Sequence, residues 1–137
     1  AMPQSTTPFE LPVIFAYTRR QAIEDGVLVD ATEGVLADVT RQHFKVHVAM
    51  TAAVFSIIES AVANRRYGND YRGVWHDICS MLRLKIRGLP AGSAASELLF
   101  QVLITGAGPS KVWTLKAVMG PDDEGEPCLT VMLPEED

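Results

Sequence analysis

The last third of the chain sets the narrowest limits on its fold. Three apolar runs, Leu98 to Ile104, Val112 to Met119 and Cys128 to Leu133, have the alternation and β-branched content of strands. Between them stand two turn clusters, Gly106-Ala107-Gly108-Pro109-Ser110 and Gly120-Pro121-Asp122-Asp123-Glu124-Gly125-Glu126-Pro127. Connections this short join antiparallel neighbours, because a parallel pair needs a crossover of about a dozen residues or more. The expectation is a C-terminal three-stranded antiparallel meander. Phe100, Val102, Trp113, Leu115, Leu129 and Val131 fall on one face of it, suited to burial. Leu99, Leu103, Val112, Val118 and Met132 fall on the other. That is more apolar surface than one buried face uses. It tips the balance slightly toward a homodimer, with these five residues as its contacts.

The first two thirds read as helical. Thr18-Arg19-Arg20-Gln21 has the form of a capping box opening a short helix that ends at Asp25-Gly26. Val13-Ile14-Phe15-Ala16 and Val27-Leu28-Val29 are short extended pieces. A second helix includes Val35, Leu36 and Val39, capped by Asp30 or Thr32. Phe44-Lys45-Val46-His47-Val48 alternates as a strand with Phe44, Val46 and Val48 inward. Thr51 caps an apolar helix from Ala52 to about Ala63, and Asn69 or Asp70 opens a longer one to Arg87, stopped by Gly88. The fold expected is α+β: a helical N-terminal two thirds packed on the C-terminal meander, to which short N-terminal strands can add.

At 137 residues with 47% hydrophobic content, this is the size and composition of one globular domain, expected over residues 11–137 behind a polar leader at 1–10. No apolar run approaches the ~18 residues of a membrane span, and the leader lacks the basic and apolar regions of a signal peptide. The two cysteines, Cys79 and Cys128, form no disulfide framework, so a cytoplasmic location is expected, with both thiols free and no membrane partner. Net charge is −5, divided as −4 over residues 1–40, +5 over 41–87 and −6 over 88–137. An acidic total disfavours nucleic-acid binding, although the basic 41–87 segment keeps it as an alternative.

No residue pattern amounts to a catalytic, cofactor or metal motif. His43 and His47 have the four-residue spacing of helical zinc ligands, but on a strand they stand roughly 13 Å apart. Trp75-His76-Asp77 with Cys79 suggests a nucleophilic set, yet neighbours on a helix diverge by about 100° each. The Gly106–Lys111 turn lacks the Gly-Lys-Ser/Thr ending of a phosphate loop. The residues singled out for interaction are Tyr17, Arg19 and Arg20, which combine an aromatic anchor with guanidinium forks, and the acidic tip Asp122, Asp123, Glu124 and Glu126. No cofactor is expected.

Three stretches carry a family resemblance. They are Ala16 to Asp30 (AYTRRQAIEDGVLVD), Val74-Trp75-His76-Asp77, and Leu115 to Pro121 continuing through Gly125-Glu126-Pro127 to Met132–Asp137 (MLPEED). Together they resemble an uncharacterised bacterial family of small proteins carried on plasmids, integrative elements and phages. That family has no assigned activity, so the resemblance transfers no catalytic residue. It implies a mobile-element accessory protein. Joined to the residue reading, it suggests a non-enzymatic protein-binding module acting in counter-defence or transfer regulation, with a host or element-encoded partner. The alternative from another class is a small enzyme or ligand-binding domain whose site assembles only in space.

Overall fold

The computed structural model describes residues 17–93 and 95–137. The leader at 1–10 and the extended piece Val13–Ala16 lie outside the described residues. Helix α1 (Arg19–Glu24) opens with the reciprocal cap that its sequence encodes. The Gln21 N–H donates to Thr18 Oγ1 at 3.0 Å, and the Thr18 N–H donates to Gln21 Oε1 at 2.9 Å. Gly26, at φ 79°, takes the left-handed conformation that lets the chain leave the helix and enter β1 (Leu28–Asp30). A 3-10 turn (Gly34–Leu36) leads into α2 (Ala37–His43), and β2 (His47–Thr51) runs without a loop into α3 (Ala52–Ala63). Helix α4 (Tyr71–Arg87) is capped by the Asp70 carboxylate, which accepts from the Gly73 N–H at 2.7 Å. Strands β3 (Glu97–Leu103), β4 (Val112–Pro121) and β5 (Pro127–Met132) follow.

The three C-terminal strands do not stand alone as an antiparallel meander, and this corrects the expected fold. They belong to a five-stranded mixed sheet of order β1-β2-β5-β4-β3. β2 lies parallel to β5, with His47 opposite Cys128 and Met50 opposite Val131, and β1 adds antiparallel outside β2. The parallel pair is possible because α3, α4 and the β3–β4 hairpin together form a crossover far longer than a tight turn. The second strand is also shifted from its expected position. Val48 and Met50 are the inward residues, and Phe44 to Val46 precede the ladder. Asp30 and Thr32 do not cap the following helix. Asp30 accepts from the Thr32 N–H, while the Thr32 hydroxyl bridges both backbone groups of Val48.

One face of the sheet carries the core. Val54 and Ile58 of α3 and Trp75, Ile78 and Leu82 of α4 close over Val48, Met50, Phe100, Val102, Leu115, Leu129 and Val131. These inward residues match the face assigned from alternation. Trp75 is fully buried, and its indole N–H donates to Thr40 Oγ1 at 2.9 Å, so α2 and α4 are joined through a satisfied polar contact inside the core. Among the described residues no helix is long and apolar enough to cross a membrane.

Candidate interaction site

The opposite face of the sheet is divided. Over β2 and β5 the described residues that meet it include α1 and the C-terminal turn. Arg19 lays its guanidinium on β5, where Nη1 donates to Thr130 Oγ1 at 2.6 Å and Nη2 to the Leu129 carbonyl at 2.9 Å. The N-terminus of α1 meets the β4–β5 turn, whose Asp123 carboxylate accepts from the Arg19 N–H at 2.8 Å and the Arg20 N–H at 3.0 Å. Asp122 shapes that turn by accepting from the Glu124 and Glu126 N–H groups, both at 2.9 Å. These two amides hold its carboxyl below the usual carboxylate range. At the other end Glu136 Oε1 accepts from the Thr51 hydroxyl and the Leu133 N–H, both at 2.8 Å, while Lys116 Nζ donates to the Glu136 carbonyl.

Of the residues singled out for interaction, Arg19 and Arg20 are brought to Asp122, Asp123 and Glu124, joined through backbone amides that donate to Asp123. Arg19, Arg20, Asp122 and Asp123 line one cleft of about 150 Å³ with Ile23 and His47. Tyr17, which is exposed, donates its hydroxyl to Asp25 Oδ2 at 2.7 Å, and that bond raises the phenol pKa. The Tyr17–Asp25 stretch of the family resemblance thus meets the β4–β5 turn through Asp123, which lies between the Leu115–Pro121 and Gly125-Glu126-Pro127 pieces of the same resemblance. The partners of Arg19 on β5 had no sequence signal, because a backbone carbonyl and a threonine carry none.

Among the described residues no element covers the other half of this face, over β3 and β4. Leu99, Leu103 and Val112 are 53%, 60% and 56% exposed. They share a face by register: Leu99 is opposite Lys116, Gln101 opposite Thr114 and Leu103 opposite Val112. Val118 is half-buried on the same face, and Met132 is buried beside Lys116. The apolar surface continues around the β3 edge onto α4, where Met81 and Leu84 are exposed. A groove of about 540 Å³ runs there, lined by Met81, Leu84, Lys85, Leu99, Gln101 and Thr114.

The nucleophilic set suggested by Trp75 to Cys79 is dispersed. Cys79 faces the core, and burial pushes its thiol up to about 12. Asp77 is exposed on α4, and His76 faces α2. Cys128 is buried beneath the Arg19 joint; both thiols are free. The partner of His43 is His76 of α4. The His43 Nε2 lies 3.0 Å from His76 Nδ1, an inter-helix contact that spacing in sequence did not reveal. Partial burial, Arg83 and His76 all lower the His43 pKa. Among the described residues no group of three potential metal ligands converges.

No curated protein and no solved structure matches the chain. A family model covers residues 9–137, nearly the whole sequence and all three stretches that carried the resemblance. The chain belongs to the family of unknown function DUF6573.

Proposed function

We propose that this chain is a non-enzymatic protein-binding module, serving as an accessory protein of a mobile genetic element in counter-defence or transfer regulation. The observation that carries the binding role is the half of the sheet face that no described element covers. Leu99, Leu103 and Val112 are exposed on one face of β3 and β4, with Gln101 and Thr114 between Leu99 and the Leu103–Val112 pair, and Met81 and Leu84 are exposed nearby on α4. Large apolar side chains clustered beside one groove with polar neighbours mark a contact site more often than scattered single residues do. The dispersal of His76, Asp77 and Cys79 supports the non-enzymatic part. The mobile-element part rests on the sequence resemblance alone.

Affinity capture with the wild-type chain and with Leu103→Lys tests the binding role. The side chain of Leu103 points to solvent, so the variant keeps its fold while losing apolar contact. A binder retained by wild type and lost from Leu103→Lys is the expected result. Equal recovery on both proteins would place binding elsewhere, and no specific binder under any growth condition would remove the reading.

A further inference from the structure

We propose that the apolar surface at the β3 edge receives a second copy of this chain, joined antiparallel through β3 to make one continuous ten-stranded sheet. The proposal rests on reading this surface as protein-binding, and it names the partner. Three observations point to it.

The first is the backbone of β3. Ile104 N–H donates to the Lys111 carbonyl and Met119 N–H to the Ser96 carbonyl, both at 2.8 Å. The two-residue repeat of an antiparallel ladder then assigns Leu98, Phe100 and Val102 to bonds with β4. Glu97, Leu99, Gln101 and Leu103 aim their N–H and C=O groups outward, at the sheet edge. The strand is seven residues long, ELLFQVL, with no proline and no lysine, and its one charge sits at its end. It lacks the usual devices that discourage edge pairing, whereas the opposite edge, β1, is only three residues long.

The second is self-complementarity along the strand. A two-fold axis through Gln101, perpendicular to the sheet, sets Leu99 of each copy opposite Leu103 of the other. Leu99, Gln101 and Leu103 would then exchange about six intermolecular backbone hydrogen bonds. The exposed leucines of the two copies meet on the same face.

The third is the charge pattern of α4, which packs along β3. Asp77, Met81, Leu84 and Lys85 have the spacing of one helical stripe, and Met81, Leu84 and Lys85 flank the groove beside Leu99 and Gln101. The same two-fold axis brings the α4 helices side by side and antiparallel. With that axis passing beside Met81, which lines the groove with Gln101, Asp77 of one copy would face Lys85 of the other, twice. Within one chain neither has an ion-pair partner among the described residues, where the ion pair formed is Arg72 with Asp38.

Light scattering across the micromolar to millimolar range, on wild type and four variants, tests this. Wild type is expected to move from the chain mass to twice that value. Gln101→Pro removes an outward N–H without touching the β3–β4 ladder, and is expected to stay monomeric with its circular dichroism unchanged. Asp77→Lys and Lys85→Asp are each expected to weaken the dimer by at least about tenfold, and the double exchange Asp77→Lys/Lys85→Asp to restore it. A monomer at every concentration would overturn the proposal, as would a dimer indifferent to Gln101→Pro or a double exchange that fails to rescue. Running Gln101→Pro in the capture assay separates the two readings. A monomeric wild type whose captured binder is lost with Gln101→Pro would leave the surface to a different protein and reject the second copy alone.

Discussion

The carboxylate of Asp123 holds both leading amides of α1, accepting from Arg19 N–H at 2.8 Å and Arg20 N–H at 3.0 Å across more than a hundred residues of sequence. A helix of six residues is too short to be stable by itself, so α1 depends on such tertiary anchors. Helix N-termini leave their first N–H groups without partners, and here a distant hairpin supplies the acceptor that a local side chain supplies elsewhere. Asp123→Ala is expected to cost about 1 kcal/mol in chemical denaturation, within the range for loss of a cap. Glu124→Ala, one position on, is expected to change stability by less than about 0.5 kcal/mol, since its side chain makes no such contact.

Acid should loosen the contact between α2 and α4. His43 has its pKa lowered by partial burial first, then by Arg83 and by His76. The folded protein therefore takes up this proton less readily than the unfolded chain. The contribution is fully present above the ordinary histidine value of about 6.5, and is lost as pH falls from there through the lower folded value. Denaturation midpoints across this window should fall more steeply for wild type than for His43→Asn. Parallel curves would show that the His43–His76 contact does not contribute.

Gly106 is expected to resist replacement. At φ +89° it holds a conformation that side chains disfavour, and an added Cβ would stand 3.0 Å from Tyr67 Cδ2 and 3.3 Å from Asn64 Cβ. Asn64 and Asn69 fix the same turn, donating to the Gly106 and Thr105 carbonyls. Gly106→Ala should cost more than about 1 kcal/mol, whereas Gly125→Ala, with open space around it, pays only for its positive φ. Thermal melts of the two variants give the comparison directly.

Cys79 should be inert in the native state. It is fully buried with its thiol pushed up to about 12, so almost no thiolate exists near neutral pH. A thiol-alkylating reagent should label Cys79 only at the rate of unfolding. Fast labelling of Cys79 in folded protein would mean that α4 opens locally and would revive a chemical role for it.

Much of the local structure was legible because its signals are local. Thr18 with Gln21, Thr51 before Ala52 and Asp70 before Tyr71 each name a helix start through their own hydrogen-bonding chemistry. The inward face of β3, β4 and β5 followed from alternation alone. Sheet order was not legible. β2 is five residues long and passes straight into α3, so no turn residue marks its end, and its parallel partner β5 lies some eighty residues away. The site was half legible. Tyr17, Arg19 and the Asp122–Glu126 tip stood out as polar clusters, but only folding shows that Asp123 spends both carboxylate oxygens on α1. Asp77 stood out only as part of a nucleophilic set, and its stripe with Met81, Leu84 and Lys85 was not legible because it is short and lies beside a stronger apolar face of the same helix.

Amide hydrogen exchange along β3, measured at low and at high protein concentration, tests the central claim most directly. Phe100 and Val102 donate toward β4 and should be protected at both concentrations. Leu99, Gln101 and Leu103 donate outward; they should exchange rapidly when dilute and slow as the chain is concentrated, in step with the rise in mass. Outward amides that exchange at one rate irrespective of concentration would contradict pairing through this edge.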